Sequence, residues 1–287
     1  MASGVPPQIW VYIPNQTTLL NILLSALFWG IIQMVVAIVL FNSQTDHLEY
    51  SKRKPKKMSK FEVLDTKNRF TSLIHGIMCI CFSYYDVTYI KLPYGSPNHP
   101  IQTLLITLSL GYFIYDLIAM AYYGVFDICL LIHHGITCCG YYLSLCFSAS
   151  GSEIMAGVYV SEISNPFMHI WVICRNLGYK HTMLNSISQY LYILLYIYYR
   201  LFKGIYVVWN CFTCQNGNHP IIKALSVMLA IQSYFFIYKM ANMCCNKLNS
   251  SRHANKKRGN SVSDSSEETT GKKEGIMCWA GCGNGVE

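Results

Sequence analysis

The residues best suited to chemistry in this chain are polar groups set inside long apolar runs. They are Ser72 and His75, then Tyr112 and Asp116, then the adjacent pair His133 and His134, then Glu162, Asn165 and His169. Ionisable groups at membrane depth are expensive, so each marks either a functional site or a hydrogen bond between helices. Two adjacent histidines on a helix point about 100° apart. One imidazole can act as a nucleophile while the other acts as a base or holds a neighbour, and Glu162 on a facing helix can orient an imidazole and stabilise its charged form. The alternative is that His133 and His134 only bridge helices.

Spacing supports joint action. Ser72 and His75 are three apart, Tyr112 and Asp116 four apart, and Glu162, Asn165 and His169 fall at i, i+3 and i+7, so each set shares one helical face. On the expected topology Ser72 and His75 lie within ~8 Å of their helix start, and Tyr112, Asp116, His133 and His134 within ~12 Å of a cytosolic end. Asn165 and His169 lie ~8 to ~14 Å from theirs. Independent hydrogen bonds need not share a depth, whereas a cavity open toward the cytosol explains it. Pro166 removes a backbone donor in mid-helix and predicts a kink whose freed carbonyl suits a cavity wall.

The elements that position these groups are membrane helices. The 287 residues are 53% hydrophobic and 13% charged, against about a quarter charged in soluble domains, and mean hydropathy is +0.29. A hydrocarbon core about 30 Å thick needs roughly 20 apolar helical residues. Leu19–Phe41, Phe70–Ile90, Ile101–Met120, Val125–Phe147, Ile154–Cys174, Ile187–Val208 and Ile221–Tyr238 meet that need. The expectation is an all-α integral membrane protein with seven transmembrane helices. The first run is too long for a cleavable signal peptide, and residues 1–18 carry no Lys or Arg.

Charge placement sets the orientation. The net charge of +8 suggests nucleic acid until its distribution is seen. Eight Lys/Arg fall in 42–69, Arg175 and Lys180 in 175–186, and eight in 239–287, while the opposite loops hold only Lys91. Seven spans put all three basic segments on one side, which is then cytosolic, and nucleic acid is not an expected partner. Most of the thirteen cysteines lie within apolar runs and read as small packing residues. Cys211-x-x-Cys214 with His219 suits a disulfide better than zinc, and no metal is expected. Arg200 and Lys203 are expected to snorkel, Asp86 and Asp127 to meet solvated loops, and most tyrosines between Tyr190 and Tyr199 to form an interfacial belt. Asn15-Gln16-Thr17 is a glycosylation triplet close to the first helix. Cys244 and Cys245 sit where palmitoylation occurs, and the Ser/Lys/Glu-rich tail 246–287 reads as disordered.

Taken in order, Asn68-Arg69-x-x-Ser72-x-x-His75, Gly111-Tyr112-x-x-Tyr115-Asp116, His133-His134 and Ser161-Glu162-x-x-Asn165-Pro166-Phe167, with Arg175 following, resemble the TLC-domain family. This is the membrane domain shared by ceramide synthases and the translocating-chain-associating membrane protein. The resemblance covers roughly residues 67–245. The stretch from Gly151-Ser152-Glu153 through Pro166 looks most like the TLC domain-containing protein 5 branch. The resemblance implies a barrel of six helices, two to seven, with helix one outside and residues 1–66 preceding the domain. It also implies residence in the endoplasmic reticulum and a role with membrane lipids, a sphingoid base or phospholipid among them.

The family's acyltransferases use the paired histidines to transfer an acyl group from acyl-CoA. On that pattern His133, His134 and Glu162 are the catalytic set. Ser72, His75, Tyr112, Asp116, Asn165, His169 and Arg175 are the substrate-binding set, and acyl-CoA is a possible co-substrate, with no other cofactor. Where those enzymes carry two aspartates three apart, this chain has Glu162 and Asn165, and an amide cannot act as a base. Three functions are therefore expected to compete: lipid homeostasis through a lipid-holding cavity, acyl-CoA-dependent acyl transfer, and a non-catalytic cargo receptor or chaperone. The last lacks a retrieval signal at Gly285-Val286-Glu287.

Overall fold

The computed structural model describes residues 16–40, 58–124, 128–214 and 217–261, with backbone alone at 60, 243, 244 and 246–261. The described residues are mostly helical, and their only strand-like pairing is the isolated bridge Pro97–Ala149. In chain order the helices are α1 (Gln16–Leu40), α2 (Lys60–Tyr85), α3 (Pro100–Tyr123), α4 (Ile128–Phe147), α5 (Gly151–Glu162), α6 (Asn165–Asn176), α7 (Met183–Ile197), α8 (Gly204–Thr213) and α9 (Pro220–Ser261). A π-helical turn, Asp86–Ile90, extends α2, and another, Tyr198–Lys203, joins α7 to α8.

Among the described residues, six helical stretches are long and apolar enough to cross a membrane: Gln16–Leu40, Phe61–Ile90, Pro100–Tyr123, Ile128–Phe147, Met183–Thr213 and Pro220–Asn242. The stretch expected as a fifth span, Ile154–Cys174, is instead two twelve-residue helices, α5 and α6. Pro166 explains the break. It has no N–H to offer Glu162 and its ring crowds that carbonyl. Ile163 and Ser164 keep right-handed helical torsions, so the chain bends there rather than turning back.

Local chemistry fixes the helix starts. Ser59 and Glu62 form a capping box: Ser59 Oγ accepts the Glu62 N–H at 3.1 Å, and the Ser59 N–H donates to Glu62 Oε2 at 2.8 Å. Helix α2 therefore begins ten residues before the expected Phe70. Ser72 and His75 lie ~18 to ~23 Å along it rather than near its start. Pro100 opens α3 behind the His99 cap, and Gly124 closes it in the left-handed conformation at φ 67°. At the other end, α9 continues as helix through Ser261, past the 246 boundary of the expected tail. Residues 262–287, the Asn15 side chain, Asp127 and the Cys244 side chain fall outside the described residues.

Packing places α1 against α3 and α2, α2 against α5 and α6, α3 against α4, α6 against α7, and α9 against α4 and α8. One buried cluster joins Trp29, Cys79, Leu105, Ile106, Tyr112, Phe113 and Met155 from α1, α2, α3 and α5; a second joins Trp171, Tyr192, Tyr196 and Met240. The tyrosines expected as an interfacial belt are thus divided. Tyr192 and Tyr196 are buried, while Tyr190 and Tyr198 face outward.

Candidate functional site: two chambers meeting at His133

Nine of the ten residues singled out from the sequence line one chamber of about 190 Å³ between α2, α3, α4, α5 and α6: Ser72, His75, Tyr112, Asp116, His133, His134, Glu162, Asn165 and His169. Arg175 does not line it. Its guanidinium lies 5.4 Å from the Trp171 ring centre.

Asp116 is the hub of the chamber wall. Its Oδ2 lies 2.8 Å from His134 Nε2, and its Oδ1 accepts from Asn68 Nδ2 at 2.8 Å. Asn68 Oδ1 in turn accepts from the Tyr115 hydroxyl at 3.2 Å. His134 Nδ1 faces the Leu130 carbonyl at 2.9 Å, and a carbonyl only accepts, so Nδ1 carries a proton. His134 Nε2 then either donates to the Asp116 carboxylate or accepts from its carboxylic acid. In both arrangements every ring nitrogen of His134 is engaged, so it holds Asp116 and has no lone pair free to attack a substrate.

His75 is held differently. Its ring stacks on Tyr112 with centres 3.8 Å apart, and Nε2 sits 3.2 Å from Ser109 Oγ and 3.3 Å from Cys79 Sγ. The Tyr112 hydroxyl donates to Ser72 Oγ at 2.8 Å, and Ser72 Oγ donates to the Asn68 carbonyl at 3.0 Å. Trp29 of α1 meets both rings edge-on and donates Nε1–H to the Leu108 carbonyl at 2.9 Å. Helix α1 thus buttresses this wall. At the end nearest the start of α2, Arg69 donates to Asp65 at 2.9 Å, as does Asn176. His169 is buried there, and its Nδ1 has no partner.

A second, largely apolar chamber of about 130 Å³ lies between α4, α5, α8 and α9. His133, Glu162 and Phe113 line both chambers. Asn165 Nδ2 donates to Glu162 Oε2 at 3.0 Å, so the bend before Pro166 presents Glu162 at this junction. Small residues keep the apolar chamber open: a Cβ added at Gly157 would meet nothing within 4 Å.

Arg200 lines the apolar chamber near His133 and Glu162. Its guanidinium donates to the Ser161 carbonyl and to Ser233 Oγ, both at 3.0 Å, and its Nε has no partner. Contrary to the snorkelling expected for it, Arg200 turns inward. Its position midway along Met183–Thr213 was the available signal, since a stem there is too far from either end to reach water. Asp86 is buried too, accepting from Gln102 Nε2 at 2.8 Å rather than meeting a solvated loop. Cys211 and Cys214 are both free thiols. Cys79, and Asn68 of the motif quoted above, were left out of the expected site set; they fall four residues from His75 and Ser72 and so share their face.

The family model described as the TLC domain matches residues 65–249, well over half of the chain, and includes part or all of every helix that lines the two chambers. With six helices apolar and long enough to cross a bilayer and a match of that extent, this chain is a multi-pass membrane protein that belongs to the TLC-domain family.

Proposed function

We propose that this protein acts in membrane lipid homeostasis by holding a lipid across its two chambers, head in the polar one and chain in the apolar one. The observation that carries this is the shared border: His133 and Glu162 line both spaces. In this reading α5 and α6 together form a seventh, bent span. Their 26 residues, Gly151–Asn176, extend ~39 Å, enough for a core of about 30 Å. Helices two to seven then close a six-helix barrel with α1 outside it. The protein resides in the endoplasmic reticulum with a cytosolic C-terminus, within the TLC domain-containing protein 5 branch, and its ligand is a sphingoid base, a phospholipid or a related lipid.

The test is lipid retention by the purified protein, measured by native mass spectrometry. Gly157→Leu places a side chain in the apolar chamber, and the expected result is loss of co-purifying acyl lipid without loss of thermal stability. Equal retention by the variant would overturn the reading.

A second reading, acyl transfer, is favoured by the division of labour between the histidines. His134 is committed to Asp116, which leaves His133 as the nucleophile at the chamber junction. Its unprotonated ring nitrogen adds to the thioester carbonyl of acyl-CoA, the C–S bond breaks, and CoA leaves as the thiol with the proton from the other ring nitrogen. An amine or hydroxyl of a lipid then attacks the acyl-imidazole and loses its proton to Glu162, which returns it to His133 as the acyl–nitrogen bond breaks. Arg200 lines the same chamber and its charge acts on both His133 and Glu162, which favours a developing oxyanion there. Intact-mass measurement after incubation with long-chain acyl-CoA should show an acyl adduct that His133→Ala abolishes. Absence of an adduct, of CoA release and of acylated product across amine and hydroxyl lipids would leave the lipid-holding reading alone.

A further inference from the structure

The apolar chamber does not end in an apolar wall. Where the start of α5, the end of α8 and the start of α9 converge, it is lined by Glu153, Cys211, Ile222 and Ser226. Glu153 is 4% exposed. Its Oε1 accepts the Gly95 N–H at 2.7 Å, and its Oε2 has no partner. Among the described residues no Lys or Arg forms an ion pair with it. Ser226 has spent its proton on the Lys223 carbonyl at 2.7 Å and offers only lone pairs.

Burying a carboxyl without partners for both oxygens is costly. Holding the Gly95 turn requires one oxygen, which an amide side chain supplies equally well. Ser150 and Asn218 stand beside the same carboxyl, but Ser150 Oγ donates to Asn218 Oδ1 at 3.4 Å and Asn218 Nδ2 to the Cys211 carbonyl at 3.1 Å, so Oε2 is left without a hydrogen bond. Glu153 and Glu162 are nine residues apart on α5, which places the two ends of the chamber ~14 Å from one another, room for a chain of on the order of ten methylenes. A plain methyl terminus would leave Oε2 unsatisfied, whereas a hydroxyl terminus would donate to it and accept nothing that is missing.

We propose that the Glu153 end of the apolar chamber is a recognition site for a hydroxylated chain terminus, so that the protein selects lipid chains carrying a terminal hydroxyl. This rests on the reading that the apolar chamber holds a lipid chain, and it adds the chemical class of that chain.

The probes are twelve-carbon acyl-CoA and fatty acid, each with and without a terminal hydroxyl, competed for the full-length protein in detergent and read by native mass spectrometry. Wild type should retain the hydroxylated forms about ten-fold better, the order expected for one satisfied buried hydrogen bond. Glu153→Gln should keep the preference and Glu153→Leu should lose it. Should Glu153→Leu fail to fold, wild type carrying a chain with a terminal photoreactive diazirine should cross-link to the peptides containing Glu153 or Cys211. Binding of both chain types with equal affinity, or a preference that survives Glu153→Leu, would overturn this inference and leave the lipid-holding reading intact. Retention of neither chain would overturn both.

Discussion

Replacing Asp116 tests the construction of the site most directly. Asp116 is buried, with one oxygen on His134 and the other on Asn68. In Asp116→Ala both His134 Nε2 and Asn68 Nδ2 lose their partner inside the protein. Leaving two buried polar groups without a partner costs about 1–3 kcal/mol each, and a shift of 1 kcal/mol moves the unfolding midpoint by about 2–4 °C in a protein of this size. The expected loss is therefore about 12 °C. In Asp116→Asn the amide oxygen still accepts from Asn68, and its N–H can donate to the lone pair of a neutral His134. That variant loses the charge and keeps the geometry, so the drop should stay below about 5 °C. The assay is thermal unfolding in detergent, followed by a fluorogenic maleimide that reacts as the buried Cys79, Cys146, Cys174 and Cys211 become exposed. His134→Ala should cost nearly as much as Asp116→Ala, and the double variant should cost less than the sum of the two. A midpoint for Asp116→Ala within 2 °C of wild type, or an asparagine variant as damaged as the alanine one, would refute the assignment of Asp116 as the hub.

Two further outcomes are expected. A Cβ at Gly111 would stand 2.3 Å from Ser25 Oγ and 2.7 Å from the Ala26 backbone nitrogen, so Gly111→Ala should drive α1 off α3, release Trp29 from Leu108 and lower the midpoint by about 5 °C or more, through an overpacking cost of about 1–3 kcal/mol; an unchanged midpoint would show that α1 does not buttress the site. Tags at residues 1 and 287 should be reached by protease from opposite faces of sealed vesicles, with residue 287 on the cytosolic face, and protection of residue 287 in cytosol-side-out vesicles would reverse the topology.

The sequence by itself determined the membrane character, the existence of six long apolar helices, and the polar groups that share helical faces. Helical periodicity and apolar run length are local properties, readable without knowing what lies alongside. That is why Ser72, His75, Tyr112, Asp116, His133, His134, Glu162, Asn165 and His169 could be grouped before any contact was known, and why Pro166 announced a bend. The capping box at Ser59 and Glu62 was equally local, but a reading that starts each helix at its first apolar run passes over it. Partnership was decided only by tertiary structure. Whether a histidine is a nucleophile or a clamp depends on what meets each ring nitrogen, and for His134 that is Asp116, eighteen residues away on another helix. The same holds for Arg200, turned inward by Ser161 and Ser233, and for Glu153, one oxygen held by Gly95 and the other left over. No spacing rule fixes such pairings, because they arise from which helices pack together and at what depth.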